Sequence, residues 1–149
     1  MLSYTYELFK ERPDILALWQ NKYKYILIDE FQDINRLQYE IIKMLAAPQN
    51  NLFIVGDDDQ SIYRFRGSKP EIMLGFEKDY ANAKRILLDT NYRCGRYIVE
   101  ASLNLISHNR ERFDKKIIAA SKSKAPVTFA DFENRRDENI FLIRDIDKK

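Results

Sequence analysis

The sequence predicts an α/β fold with a mostly parallel sheet and flanking helices, and three observations carry that expectation. Short apolar runs at 25–28, 52–55, 86–88 and 127–130 alternate with segments of helical period, the order that βαβ units produce. Each run ends at or beside an aspartate: Asp29, Asp57 after Gly56, Asp89 and Asp131. If the strands run parallel, these carboxylates gather along one sheet edge, where open α/β sheets bind ligands.

Two short helices precede the first run, over 4–10 and 14–19, separated by Pro13 and expected to cover the sheet. Leu37, Ile41, Met44 and Leu45 recur at helical spacing after it, and Tyr97, Ala101 and Leu105 do so further on. The second set belongs to a long helix expected over 95–112, followed by a polar connector containing Lys115 and Lys116. A domain boundary is expected near 89–95. The chain ends inside a helical pattern, 137–146, without an obvious cap, which reads as a piece of something longer.

Composition bounds the class. With 149 residues, 45% hydrophobic and 32% charged, the chain has the make-up of a globular protein with ample core material. No apolar stretch approaches the roughly 20 residues of a membrane span, so membrane insertion is not expected. A single cysteine, Cys94, excludes an internal disulfide and fits a reducing, cytoplasmic setting. The net charge of +2 leaves any nucleic-acid contact to a local patch.

Three clusters carry chemistry. The first, Asp29-Glu30-Phe31-Gln32-Asp33, places adjacent carboxylates at the end of an apolar strand, a hard-oxygen pair suited to nucleotide-bound magnesium. The second, Gly56-Asp57-Asp58-Asp59-Gln60, opens a long loop that continues Ser61-Ile62-Tyr63-Arg64-Phe65-Arg66-Gly67. A calcium loop starting at Asp57 fails, because Ile62 and Ser68 stand where Gly and Glu are needed. A two-metal polymerase turn is disfavoured by the helical pattern that follows, and a solvated acidic turn stays open. Alternating aromatic and cationic residues are what unpaired bases and phosphates require, although Tyr63 and Phe65 taken alone also suit a core. The third, Asp89-Thr90-Asn91-Tyr92-Arg93-Cys94, offers an aromatic face and an arginine able to neutralise a transferred phosphoryl group; alone, Arg93 reads rather as a surface or hinge salt-bridge residue.

In this order the three clusters resemble consecutive motifs of UvrD/Rep-type superfamily I DNA helicases, most strongly over 25–94. The resemblance implies an incomplete RecA-like P-loop NTPase motor fold. It implies that residues 1–90 form the C-terminal part of a first motor domain and 91–149 the start of a second. Asp29 then holds the Mg2+ of ATP, with Glu30 beside it as general base for the attacking water. Gln32 lies near the phosphates and Gln60 senses the γ-phosphate. Tyr63, Phe65 and Arg66 contact single-stranded DNA, Tyr92 stacks on adenine, and Arg93 is an arginine finger. Movement is 3′ to 5′, with the rest of the helicase chain as a partner.

Departures are Phe65 in place of a common Trp, Arg64 in place of a common Gly, and Cys94 in place of Ser. The four glycines form no Gly-x-x-x-x-Gly-Lys-Ser/Thr phosphate loop. The chain by itself is therefore expected to lack ATPase and unwinding activity. The alternative is a non-catalytic module that binds single-stranded DNA or a partner.

Overall fold

The computed structural model describes residues 1–123 and 125–147; for Arg66 it describes the backbone but not the side chain. The chain divides into two compact units, 1–88 with 108–115, and 89–107 with 116–149.

The first unit opens with α1 (Leu2–Glu11) and α2 (Pro13–Lys22), broken at Arg12. Pro13 takes the first helical position of α2, where its missing N–H costs nothing. Both helices pack on α3 (Arg36–Ala46) rather than lying over the sheet as expected. Asn35 starts α3 with a capping box: its side chain accepts from the Gln38 N–H at 2.9 Å, and Gln38 accepts from the Asn35 N–H at 2.8 Å.

Strands β1 (Ile26–Ile28) and β2 (Leu52–Ile54) pair in parallel, Ile26 opposite Leu52 and Ile28 opposite Ile54. Their common direction brings the ends that carry Asp29 and Asp57 to one edge. Ile28 and Ile54 face inward onto Phe31, Ile34 and Tyr39. Phe31 is fully buried and meets the Tyr39 and Phe76 rings edge to face at 5.9 and 5.7 Å. Helices α4 (Pro70–Leu74) and α5 (Phe76–Asp79) close this core, and the Tyr39 hydroxyl donates to Asp79 at 2.8 Å. Burial and that carboxylate push the Tyr39 phenol well above its ordinary pKa.

The core is smaller than composition suggested. On the outer sheet face Leu27 is 71% and Phe53 56% exposed, with Tyr25 and Val55 beside them. A two-stranded sheet covered on one side leaves half of its alternating side chains in water.

The chain beyond α5 departs further from expectation. The run at 86–88 is exposed and forms no strand. Instead β3 (Thr90–Gly95) pairs in parallel with β4 (Ile118–Ser121), Thr90 opposite Ile118, with an irregularity between Asn91 and Gly95. The expected strand at 127–130 is also absent. Strand identity depends on a partner in register, and the ladder is available to 90–95 and 118–121, not to the more apolar runs. Asp89 thus precedes a strand and Asp131 lies in a loop, so neither ends a strand as expected. Helix α6 (Arg96–Ile106) ends earlier than expected. Helix α7 (Arg135–Ile146) does have a cap: Asn134 accepts from the N–H groups of Arg136 and Asp137. Among the described residues, no helix is long and apolar enough to cross a membrane.

Two large apolar residues, Leu27 within β1 and Phe31 in the turn that follows it, should respond very differently to truncation. Phe31→Ala is expected to cost about 3–5 kcal/mol in urea unfolding, whereas Leu27→Ala should stay within about 0.5 kcal/mol. Equal losses would contradict this assignment of the two sheet faces.

Candidate nucleotide and nucleic-acid site

At the end of β1 the backbone turns abruptly. Asp29 accepts the Glu30 N–H on Oδ1 at 2.9 Å, and Glu30 adopts a left-handed conformation, φ 51° and ψ 42°. A non-glycine residue enters that region at a cost, and the turn directs the chain into a 3-10 turn, Phe31–Asp33. Both carboxylates are exposed, while Gln32, two residues on, is buried.

The Gln32 amide is the joint of the site. Its Nε2 donates to Glu30 Oε2 at 2.8 Å, and its Oε1 accepts the Asp57 N–H at 3.0 Å. One side chain therefore ties the end of β1 to the end of β2. The ladder supports it from below, with Val55 N–H donating to Ile28 and Phe31 N–H to the Val55 carbonyl. Gly56 makes the approach possible, because a Cβ there would lie 2.7 Å from Gln32 Oε1 and 3.1 Å from the Phe31 nitrogen.

Beyond Gly56, Asp57 accepts Gln60 Nε2 on Oδ2 at 2.8 Å. Asp29, Glu30, Gln32 and Gln60 thus gather at one edge of the β1–β2 pair, as expected from their sequence positions. Hard carboxylate oxygens suit Mg2+, which takes one or two carboxylates and completes its shell with water and phosphate. Of these oxygens, Asp29 Oδ1 accepts the Glu30 backbone N–H and Glu30 Oε2 accepts the Gln32 amide. Among the described residues, no group of three or more potential ligands gathers in a ready-made metal cage.

The three consecutive aspartates are not a solvated turn. Lys115 Nζ lies 2.6 Å from Asp57 Oδ1, 2.6 Å from Asp58 Oδ1 and 2.9 Å from Asp59 Oδ2. Arg112 makes a two-pronged contact with Asp59 at 2.8 and 2.7 Å, and the Phe113 N–H donates to Asp58 at 2.7 Å. The Lys115 side chain is 8% exposed and that of Asp58 2%. Three ammonium protons meeting three carboxylates satisfy the donor completely, which offsets the desolvation of burying charge. Burial pushes the Asp57 and Asp59 carboxyls up, but the bonds from Lys115, Gln60 and Arg112 outweigh it and hold both below the usual value. Burial lowers Lys115 and the three aspartates more than restore it, leaving it raised.

Lys115 and Arg112 were invisible as site residues in the sequence, where Arg112 ends the helix expected over 95–112 and Lys115 lies in the polar connector after it. Three adjacent carboxylates do demand cations, but nothing local selects among 25 lysines and arginines.

The loop then carries Tyr63 and Phe65 outward. Phe65 is 77% exposed and its ring centroid lies 5.9 Å from that of Tyr63; the core alternative for these aromatics is excluded. Arg64 pairs with Glu111 at 2.9 Å and Glu71 at 3.5 Å. The Arg66 side chain lies outside the described residues. In the second unit, the Asn91 side chain accepts the Arg93 and Cys94 N–H groups at 2.9 and 2.8 Å, and Tyr92 is exposed beside them. Asn91, Tyr92 and Arg93 line an open hollow of about 470 Å³.

Two measurements check this geometry. Gly56→Ala should displace Gln32 and lower unfolding stability by about 1–3 kcal/mol, the usual cost of overpacking, with altered Gln32 side-chain amide signals. Depressed carboxyls contribute stability that is complete above their unfolded value of about 3.9 and is lost as pH falls through the lower folded value. The urea midpoint should therefore fall more steeply below about pH 4 in the unmodified chain than in Asp57→Asn/Asp59→Asn.

The pattern of the UvrD/REP helicase N-terminal domain matches residues 1–81. The putative ATP-dependent DNA helicase YjcD of Bacillus subtilis (strain 168) is 48% identical over 150 residues, covering 100% of this chain and 20% of the relative. The ATP-dependent DNA helicase PcrA of Staphylococcus aureus (strain Mu50) is 40% identical over 148 residues, covering 99% and 20%. PcrA of Leuconostoc citreum is 39% identical over 146 residues, covering 98% and 20%. The chain thus spans about a fifth of the length of these relatives. Because the matched pattern covers more than half of its residues and includes both acidic strand ends joined by Gln32, the chain belongs to the UvrD/REP helicase N-terminal domain family.

Proposed function

We propose that this chain is a segment of an ATP-dependent 3′ to 5′ DNA helicase motor that couples ATP hydrolysis to movement on single-stranded DNA. The observation that carries the reading is the Gln32 bridge, which holds Glu30 and the Asp57–Gln60 turn at the same end of two parallel strands. A RecA-like motor fold is the architecture in which such an edge serves a nucleotide. In this reading residues 1–90 contribute to a first motor domain and 91–149 to a second.

Magnesium-bound ATP supplies the phosphoryl group whose transfer to water drives the motor. Asp29 would hold the metal, which would offset the phosphate charge, and Glu30, steadied by Gln32, would accept the proton of the attacking water. Gln60 reports the state of the γ-phosphate to the loop that follows. Tyr92 stacks on the adenine, and Arg93 neutralises charge developing on the transferred group. Tyr63 and Phe65 stack on unpaired bases, with Arg66 on the backbone. The exposed apolar face of Tyr25, Leu27, Phe53 and Val55 suits cover by the rest of the helicase chain. A cytoplasmic setting follows from this role.

No phosphate-binding loop occurs in these 149 residues, so the chain alone is assigned no ATP turnover. The exposed Tyr63–Phe65 pair specifically favours a second reading, in which the isolated chain binds single-stranded DNA without chemistry.

Fluorescence anisotropy with a labelled oligonucleotide should show binding at low salt that weakens as salt rises. Phe65→Ala should weaken it roughly 5- to 150-fold, equivalent to about 1–3 kcal/mol for one stacked base. No binding at low salt removes the DNA-contact assignment. In a DNA-stimulated ATPase assay the isolated chain should be silent; turnover of about 1 per second or more would overturn the assignment of an incomplete ATP site.

A further inference from the structure

Besides holding its own turn through the Asp59 and Gln60 N–H groups, Asp57 makes three hydrogen bonds that link side chains of the site. Its Oδ1 accepts Lys115 Nζ at 2.6 Å, its Oδ2 accepts Gln60 Nε2 at 2.8 Å, and its N–H donates to Gln32 Oε1 at 3.0 Å. Gln32 in turn donates to Glu30 Oε2 at 2.8 Å. Polar contacts therefore run unbroken from the Lys115 ammonium to Gln60 on one branch and to Glu30 on the other. Lys115 stands more than fifty residues downstream of this turn and outside all three motifs read from the sequence.

The neighbouring contacts divide the labour. Arg112 grips Asp59, and the Phe113 N–H grips Asp58, neither of which bonds a glutamine. Glu111 holds Arg64 further along the loop. Asp57 is the aspartate shared between a cation and Gln60, and Lys115 is the cation it shares. The compact Lys115 ammonium lies within 2.9 Å of an oxygen of each of the three aspartates.

We propose that Lys115 is a positioning residue of the nucleotide site: its ammonium fixes Asp57, and through Asp57 it sets the Gln60 side chain and, by way of Gln32, the Glu30 carboxylate. Arg112 secures the same turn without bearing on Gln60. The functional meaning rests on the roles assigned to Gln60 and Glu30 above, but the coupling itself is a property of this chain without nucleotide or DNA.

The experiment therefore uses neither. In the isotope-labelled chain, the side-chain amide signals of Gln60 and Gln32 are compared among the unmodified protein, Lys115→Met/Asp58→Asn and Arg112→Gln. The double variant removes the ammonium together with the charge of its most buried partner, so no lone buried carboxylate is left behind. It should shift the Gln60 pair to the position of a solvent-exposed glutamine and move the Gln32 pair, with the α3 backbone signals unchanged. Arg112→Gln should leave both pairs in place. An unmoved Gln60 pair in the double variant, or an equal shift in Arg112→Gln, overturns the proposal.

Should the double variant not fold, the unmodified chain decides. The Gln60 side-chain carbonyl carbon should follow the alkaline titration of the Lys115 ε-carbon with the same midpoint, and a Gln60 signal indifferent to that titration overturns the proposal. Failure of nucleotide or DNA binding would count against the proposed function and leave this coupling standing. Failure here would leave the motor assignment standing.

Discussion

Everything at this site depends on one buried amide. Gln32 cannot be solvated where it lies, so each of its polar ends must find a partner within the protein. It finds Glu30 on one side and the Asp57 backbone on the other. That requirement fixes the spacing between the ends of β1 and β2 more tightly than two three-residue strands could fix it alone. The glycine at 56 and the left-handed turn at Glu30 follow from the same constraint. The first lets the backbone come close, and the second swings Gln32 inward.

A second constraint is electrostatic. Three consecutive carboxylates on a tight turn repel one another, and burying Asp58 among them is tolerable only with counter-charge in direct contact. Lys115 and Arg112 supply it, and in doing so they give the loop a fixed starting point. Without such an anchor, a long loop bearing exposed aromatics would have no defined orientation for Tyr63 and Phe65. A stiff acidic root and an exposed aromatic tip are therefore two parts of one arrangement.

The small core has a corresponding explanation. Phe31, Ile34 and Tyr39 fill the space between one sheet face and the helices, but among the described residues the other face is left exposed at Leu27 and Phe53. Side chains alternate between the two faces along both strands, so a one-sided cover buries Ile26 and Ile28 more deeply than Leu27. The chain spans about a fifth of its helicase relatives, and strands read as near-continuous apolar runs are characteristic of sheets covered on both sides.

The sequence by itself determined the parallel α/β character of the first unit, the strands at 26–28 and 52–54, the helix over Leu37 to Leu45, and the Asp29, Glu30, Gln32 and Gln60 edge. These were legible because each rests on local pattern: apolar runs, helical period, and polar residues placed directly after a strand. It misplaced the later strands, since Ile86, Leu87 and Leu88 are more apolar than Thr90 and Asn91, and pairing across the ladder overrides propensity. Only the tertiary structure decided that the acidic turn is neutralised by Lys115 and Arg112, that Asn134 caps the last helix, and that Tyr63 and Phe65 face outward. Charge pairing over more than fifty residues leaves no periodic trace in a sequence. The ion cluster exists because the folded backbone, not the order of residues, brings those charges within hydrogen-bonding distance.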